Sequence, residues 1–129
     1  MKINKQLVGN IGLFYVCYEL SKKGWNCLPT TRNAKGVDIV IYGQDGKKRY
    51  TIEVKSLSGR NAVPFGSKPT FMSDFVVICR KVFSNPEVFI LTSEEVKQRL
   101  NENKGSYWLE VKSYEEFKDE WEKIGEGYK

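Results

Sequence analysis

Three ionisable residues sit inside two strongly apolar segments. Asp38 lies in GVDIVI, and Glu53 and Lys55 lie in TIEVKS. Charged side chains are depleted from buried strands, so their presence calls for a chemical reason. Two carboxylates facing one another repel, and a hard divalent cation such as Mg²⁺ between them removes the repulsion. A cation held there lowers the pKa of a bound water and stabilises a phosphate oxyanion. A lysine beside it can orient or deprotonate the water, or neutralise charge in the transition state. These are the parts needed to hydrolyse a phosphodiester. None is a histidine, and the chain contains none. That excludes Ser-His-Asp and Cys-His catalysis, histidine metal sites and histidine-dependent nucleases. General acid–base chemistry falls to Asp, Glu, Lys or Tyr.

Whether the three charges meet depends on strand register. Val37 to Tyr42 and Arg49 to Leu57 read as two strands of a hairpin, and Asp45-Gly46 is a strong signal for a two-residue type I′ turn. With that turn, Tyr42 faces Arg49 and Asp38 faces Glu53. Opposed residues share a face, and Lys55, two along from Glu53, shares it too. Val37, Ile39 and Ile41 then meet Val54, Ile52 and Tyr50 on a core face. A slip of one residue would send the two acids to opposite sides.

The elements around the hairpin follow from periodicity and punctuation. Residues 5 to 23 read as a helix capped by Asn4 and stopped by Gly24, with Leu7, Ile11, Phe14 and Tyr18 as its apolar face and Leu13, Cys17 and Leu20 widening it. WNCLP (25 to 29) fits a short strand. Residues 58 to 74, with two prolines, read as a loop. FVVICRK (75 to 81) and EVFILT (87 to 92) are buried strands. A helix capped by Thr92 or Ser93 runs to about residue 103, YWLEV is a short strand, and Ser113 caps a last helix with Tyr114, Phe117, Trp121 and Ile124 on one stripe. The order predicts one α/β domain over residues 1–129, a mixed central sheet flanked by helices with a helix at its C-terminal end.

Composition narrows the classes further. At 129 residues one domain is the default, no run approaches a membrane span, and no signal-peptide pattern opens the chain, so a cytoplasmic protein is expected. Cys17, Cys27 and Cys79 are odd in number and widely spaced, which argues against a disulfide framework or zinc knuckle and for structural thiols. Charge is uneven. Residues 1 to 86 hold 14 Lys/Arg against 5 Asp/Glu, and residues 87 to 129 hold 7 against 11. A basic block suggests a polyanion, nucleic acid first. Solubilising surface lysines are the alternative.

The arrangement of Asp38 in GVDIVI with Glu53 and Lys55 in IEVKS, after an N-terminal helix, resembles the PD-(D/E)xK nuclease superfamily. The resemblance is clearest over residues 5 to 57. The tripeptide alone is weak, since an acid, any residue and Lys occurs six times in the chain; only Glu53 and Lys55 lie in a long apolar strand with an acid across the turn. The resemblance implies a restriction-endonuclease-like αβββαβ core and a metal-dependent endonuclease acting on DNA. It implies that Asp38, Glu53 and the Val54 carbonyl bind Mg²⁺ or Mn²⁺ and that Lys55 assists the attacking water. Small resolvases of this fold are similar in size, which makes branched DNA a candidate substrate and a homodimer plausible.

Two positions depart from the family pattern. Val37 replaces the usual proline, and the helix carries Asn10 and Leu13 where small relatives place an acid. Glu19, the only acid of that helix, is the candidate replacement ligand, or else a surface partner of Lys22 or Lys23. Arg32, Lys35, Arg60 and Lys68, with Asn61 and Ser67, sit on loops around the hairpin and are candidate phosphate contacts. A nuclease-like fold that binds nucleic acid or a partner without cutting is the competing reading, motivated by the missing helix acid. In a third, Asp38 and Glu53 are simply rim charges.

Overall fold

Asn4 begins the first helix by accepting the Gln6 and Leu7 N–H groups on its side chain, and α1 spans Lys5–Lys22. The computed structural model describes residues 3–31 and 36–129. The helix ends where Gly24 takes a left-handed φ of 91°. Four strands follow: β1 (Asn26–Pro29), β2 (Ile39–Tyr42), β3 (Arg49–Ser56) and β4 (Val63–Gly66). After these come β5 (Phe75–Arg80), β6 (Glu87–Thr92) and α2 (Ser93–Arg99). The chain closes with β7 (Asn101–Asn103), β8 (Ser106–Leu109), α3 (Val111–Tyr114) and two 3-10 turns, Glu115–Phe117 and Trp121–Lys123.

The fold is mixed α/β. A five-stranded sheet has the order β1-β2-β3-β5-β6, and a three-stranded sheet has the order β4-β8-β7. β3 lies at the centre of the larger sheet. It pairs antiparallel with β2 and parallel with β5, which makes the sheet mixed. Each face of the sheet carries its own core. Ile39, Ile41, Ile52, Val77 and Ile90 pack against Val8, Val16 and Leu20 of α1. Val76, Ile78, Phe89 and Leu91 pack on the other face with Val63, Phe65, Leu109 and Tyr114. β5 is buried along its whole length because both its faces are covered. Among the described residues no helix is long and apolar enough to cross a membrane.

Several sequence expectations are corrected. On α1, Leu20 is buried and Ile11, Leu13 and Cys17 pack against the core as expected, but Leu7, Phe14 and Tyr18 are exposed, and Val8, Gly12 and Val16 complete the buried face instead. The helix is apolar nearly all round, so periodicity alone does not choose its inner face. Gly12 sits inward because the helix lies close to β3 there: a side chain at Gly12 would place its Cβ 2.7 Å from the Ser56 Cβ.

Residues 63 to 66, read as loop, form β4. Pro64 is tolerated there because β4 is an edge strand. The helix after Thr92 stops at Arg99, and residues 101–103 extend into β7. Thr92 and Glu95 close a reciprocal cap at its start.

The last helix is broken. Asp119 has a φ of 54°, its N–H donates to the Val88 carbonyl at 2.9 Å, and Lys118 bridges Phe89. This segment covers the open edge of β6. The expected stripe is therefore split: Tyr114 and Phe117 enter one core, and Trp121 and Ile124 the other.

Candidate active site

The register that carries the site is the expected one. Tyr42 pairs with Arg49, Ile41 with Tyr50 and Ile39 with Ile52. The turn is longer than the two-residue form. Gly43 closes the ladder on Lys48 at 3.0 Å, and the Gly46 N–H donates back to Gly43 at 3.0 Å. Gly46 alone takes a positive φ, whereas a type I′ turn needs it at both central residues. The Asp45 carboxylate instead accepts the Lys47 N–H at 2.8 Å. The loop grew symmetrically, so the register survived.

Pairing stops one residue short of the acids. The Asp38 N–H donates to the Ile52 carbonyl at 2.8 Å, one position out of step with the Ile39–Ile52 pair. A regular ladder would next join Val37 to Val54. Instead the Val37 carbonyl accepts the Thr30 hydroxyl, and the Val54 N–H donates to Asp38 Oδ2 at 2.7 Å. The Asp38 carboxylate has taken the place of a backbone partner in the gap where β2 leaves β3. It is thus not directly opposed to Glu53 across the ladder, as the register alone implied. The alternation of an antiparallel strand aims the Val54 carbonyl at this same flank. The Thr30 N–H fixes the Asp38 carbonyl from β1 at 2.9 Å.

Glu53 and Lys55 alternate along β3 with Ile52 and Val54, which face the α1 side, and point from the face opposite those two, beside Val76 and Ile78. Lys55 Nζ lies 3.5 Å from Glu53 Oε2 and 4.6 Å from the centre of the Phe65 ring. The Glu53 side chain is only 14 % exposed. Its Oε1 is buried with no hydrogen-bond partner among the described residues. Burial holds the Glu53 carboxyl above the usual carboxylate range; Lys55 opposes this and the charge of Asp38 adds to it. Asp38 and Glu53 are therefore near enough to repel, while one of the four carboxylate oxygens has nothing to satisfy it. Hard oxygen donors in that state fit a divalent cation. Asp38, Glu53 and the Val54 carbonyl are the groups that could hold it. No group of three or more Asp, Glu, Cys or His comes together among the described residues.

Two clefts border these residues. One, of about 290 Å³, is lined by Asp38, Val54, Thr30, Asn10 and Leu13. The other, of about 500 Å³, is lined by Lys55, Leu57, Asn61, Val63 and Ile3. Lys5 and Ser56 line both. Lys5 is exposed on the first turn of α1 and has no ion pair among the described residues, and sequence reasoning missed it. No motif marks such a lysine; the approach of α1 to β3, set by Gly12 against Ser56, puts it there.

The other expected site residues are not gathered here. Glu19 pairs with Lys22 at 2.6 Å, more than two helical turns beyond Asn10, and does not line the Asp38 cleft. The departure from the family pattern at Asn10 and Leu13 thus falls on the cleft wall itself, with an amide and an aliphatic chain there. Arg60 is engaged by Glu115 through two hydrogen bonds of 3.0 Å, which largely neutralises its charge. Lys68 and Ser67 are exposed in the loop after β4. Arg32 and Lys35 lie outside the described residues. The asymmetry of charge along the chain is partly offset in three dimensions, since the acidic C-terminal part supplies Glu87 and Glu115 to Arg80 and Arg60.

The site thus belongs to a mixed α/β domain with a carboxylate pair and a lysine at a gap in its central sheet. No family model matches the chain, and no curated protein or solved structure matches it.

Proposed function

We propose that the chain is a restriction-endonuclease-like, metal-dependent endonuclease that hydrolyses phosphodiester bonds of DNA at Asp38, Glu53 and Lys55. The observation that carries this reading is the unpartnered, buried Glu53 Oε1 beside the Asp38 charge and Lys55. A protein does not retain such an oxygen for stability, since an unsatisfied buried acceptor costs about 1–3 kcal/mol. Asp38, Glu53 and the Val54 carbonyl would hold Mg²⁺ or Mn²⁺, which supplies charge for a phosphate oxygen and acidity for a water. Lys55 orients or deprotonates the attacking water, and the Phe65 ring beneath it restricts where its ammonium can go. The Val54 N–H fixes the direction of Asp38. Lys5, exposed and bordering both clefts, meets the phosphate backbone of the incoming strand. A homodimer belongs to the same reading, because one such site cuts one strand.

A second reading has one observation in its favour. No third acid joins Asp38 and Glu53 among the described residues, as suits a fold that holds nucleic acid without cutting it. Incubating the protein with plasmid and branched DNA in Mg²⁺, Mn²⁺ or EDTA separates the two. Metal-dependent cleavage that disappears in Asp38→Ala is the expected result. DNA that is retarded but uncut would favour the second reading. Cleavage that survives in Asp38→Ala would place the activity elsewhere.

A further inference from the structure

Two cysteines that the site does not use meet where α1 packs on β1. Cys17 is on the helix, Cys27 is on the strand, and both are half-buried. The Cys27 thiol donates to the Cys17 carbonyl at 3.7 Å and accepts from the Ser21 hydroxyl at 3.8 Å. The Trp25 carbonyl lies 3.8 Å from the same sulfur. These contacts pin the Cys27 sulfur on the turn of α1 that carries Cys17. The neighbouring Cys17 side chain, with help from Ser21, lowers the Cys27 thiol against burial, and Cys27 and burial raise the Cys17 thiol. The two cysteines thus lie against one another on adjoining elements, the placement that oxidation to a disulfide needs. Cys79 differs: it is fully buried in the core, and burial pushes its thiol up to about 12.

We propose that Cys17 and Cys27 form an oxidisable pair, a modification site for hydroperoxides that closes to a disulfide tying α1 to β1. The Cys27 thiolate attacks one peroxide oxygen and breaks the O–O bond. Cys27 becomes a sulfenic acid, and the departing hydroxide takes a proton to leave as water. The Cys17 thiol then attacks the Cys27 sulfur and displaces the sulfenic oxygen as a second water. Two thiols lose two electrons, and one hydrogen peroxide becomes two waters. The tie would join two elements that border the Asp38 cleft, since α1 carries Asn10 and β1 leads into Thr30. It does not depend on the nuclease reading.

The test is hydrogen peroxide added in equimolar amount to the reduced full chain at neutral pH, read by intact mass and non-reducing peptide mapping. The expected product has lost two hydrogens, carries a Cys17–Cys27 cross-link, keeps Cys79 as a free thiol and reverts with dithiothreitol. In Cys17→Ser, Cys27 should stop at the sulfenic acid, trapped by dimedone at least about tenfold faster than Cys79 reacts. Links only between chains, or over-oxidation without a cross-link, would overturn the proposal. So would a Cys27 in Cys17→Ser that reacts no faster than Cys79.

Discussion

Replacing Glu53 by Gln should make the protein more stable at neutral pH, although it removes a group central to the proposed chemistry. Burial first, then the charge of Asp38, raises the Glu53 carboxyl, with Lys55 opposing. The folded chain therefore holds this proton more tightly than the unfolded chain. The stability tied to it is fully present below the ordinary carboxyl value of 4.5 and is lost as pH rises through the folded value. At neutral pH the ionised group weakens the fold. Gln keeps an acceptor at the buried Oε1 position and removes only its charge; the charged form costs more than a neutral unsatisfied group, and that extra cost is about 2 kcal/mol. The variant also loses the 3.5 Å pair with Lys55; that returns about 1 kcal/mol, the upper range for a partly exposed pair. The net gain is about 1 kcal/mol, or about 4 °C in melting temperature for a chain of this size. Melting both proteins in EDTA across the acid-to-neutral range checks this. The variant should melt higher near neutral pH, and the gap should close towards pH 4.5. A variant that melts lower at neutral pH, or a gap that ignores pH, would refute the reasoning.

Three further outcomes follow from the packing and charge. Gly12→Ala should destabilise the fold by about 1–3 kcal/mol in chemical denaturation, as overpacking does. Adding Ser56→Gly should restore much of the loss, because the nearest obstacles are the Ser56 Oγ and Cβ. In EDTA, Lys5→Ala should weaken DNA binding and reduce the salt-dependence slope by about 0.9. Arg60→Ala should change that slope far less, because Glu115 already holds the guanidinium; equal effects in fluorescence anisotropy would contradict the assignment. The Glu87 carboxyl is held down at about 2 by Arg80 and then Lys118. Its contribution is therefore present above the ordinary carboxyl range and lost as pH falls towards 2. Glu87→Gln should flatten that acid limb of the melting curve.

The hairpin was legible because its signals agreed. Alternating aliphatics fixed the register of β2 on β3, and a Gly-containing turn set their approximate length. The gap at Asp38 was not legible, because it arises from β1: Thr30 captures the Val37 carbonyl that the ladder would have used. The inner face of α1 was only partly legible: Leu20 was placed on it, but Leu7 and Phe14 compete with Val8 and Val16 in hydrophobicity, and the close approach at Gly12 favours the latter. β4 was hidden by Pro64, which reads as a loop until its edge position is known. The last helix broke because residues 118 and 119 pair with the free edge of β6, a demand made by a strand some thirty residues earlier. Glu19 shows the same limit. Sequence offered it as ligand or as partner of Lys22, and the structure has it on Lys22.

The central claim is that Asp38 and Glu53 bind one divalent cation, and calorimetric titration with Mn²⁺ tests it most directly. The account predicts binding of one Mn²⁺ per chain, lost in both Asp38→Ala and Glu53→Gln, with a matching rise in melting temperature for the native chain alone. No binding at millimolar Mn²⁺, or binding unchanged in Asp38→Ala, would contradict it.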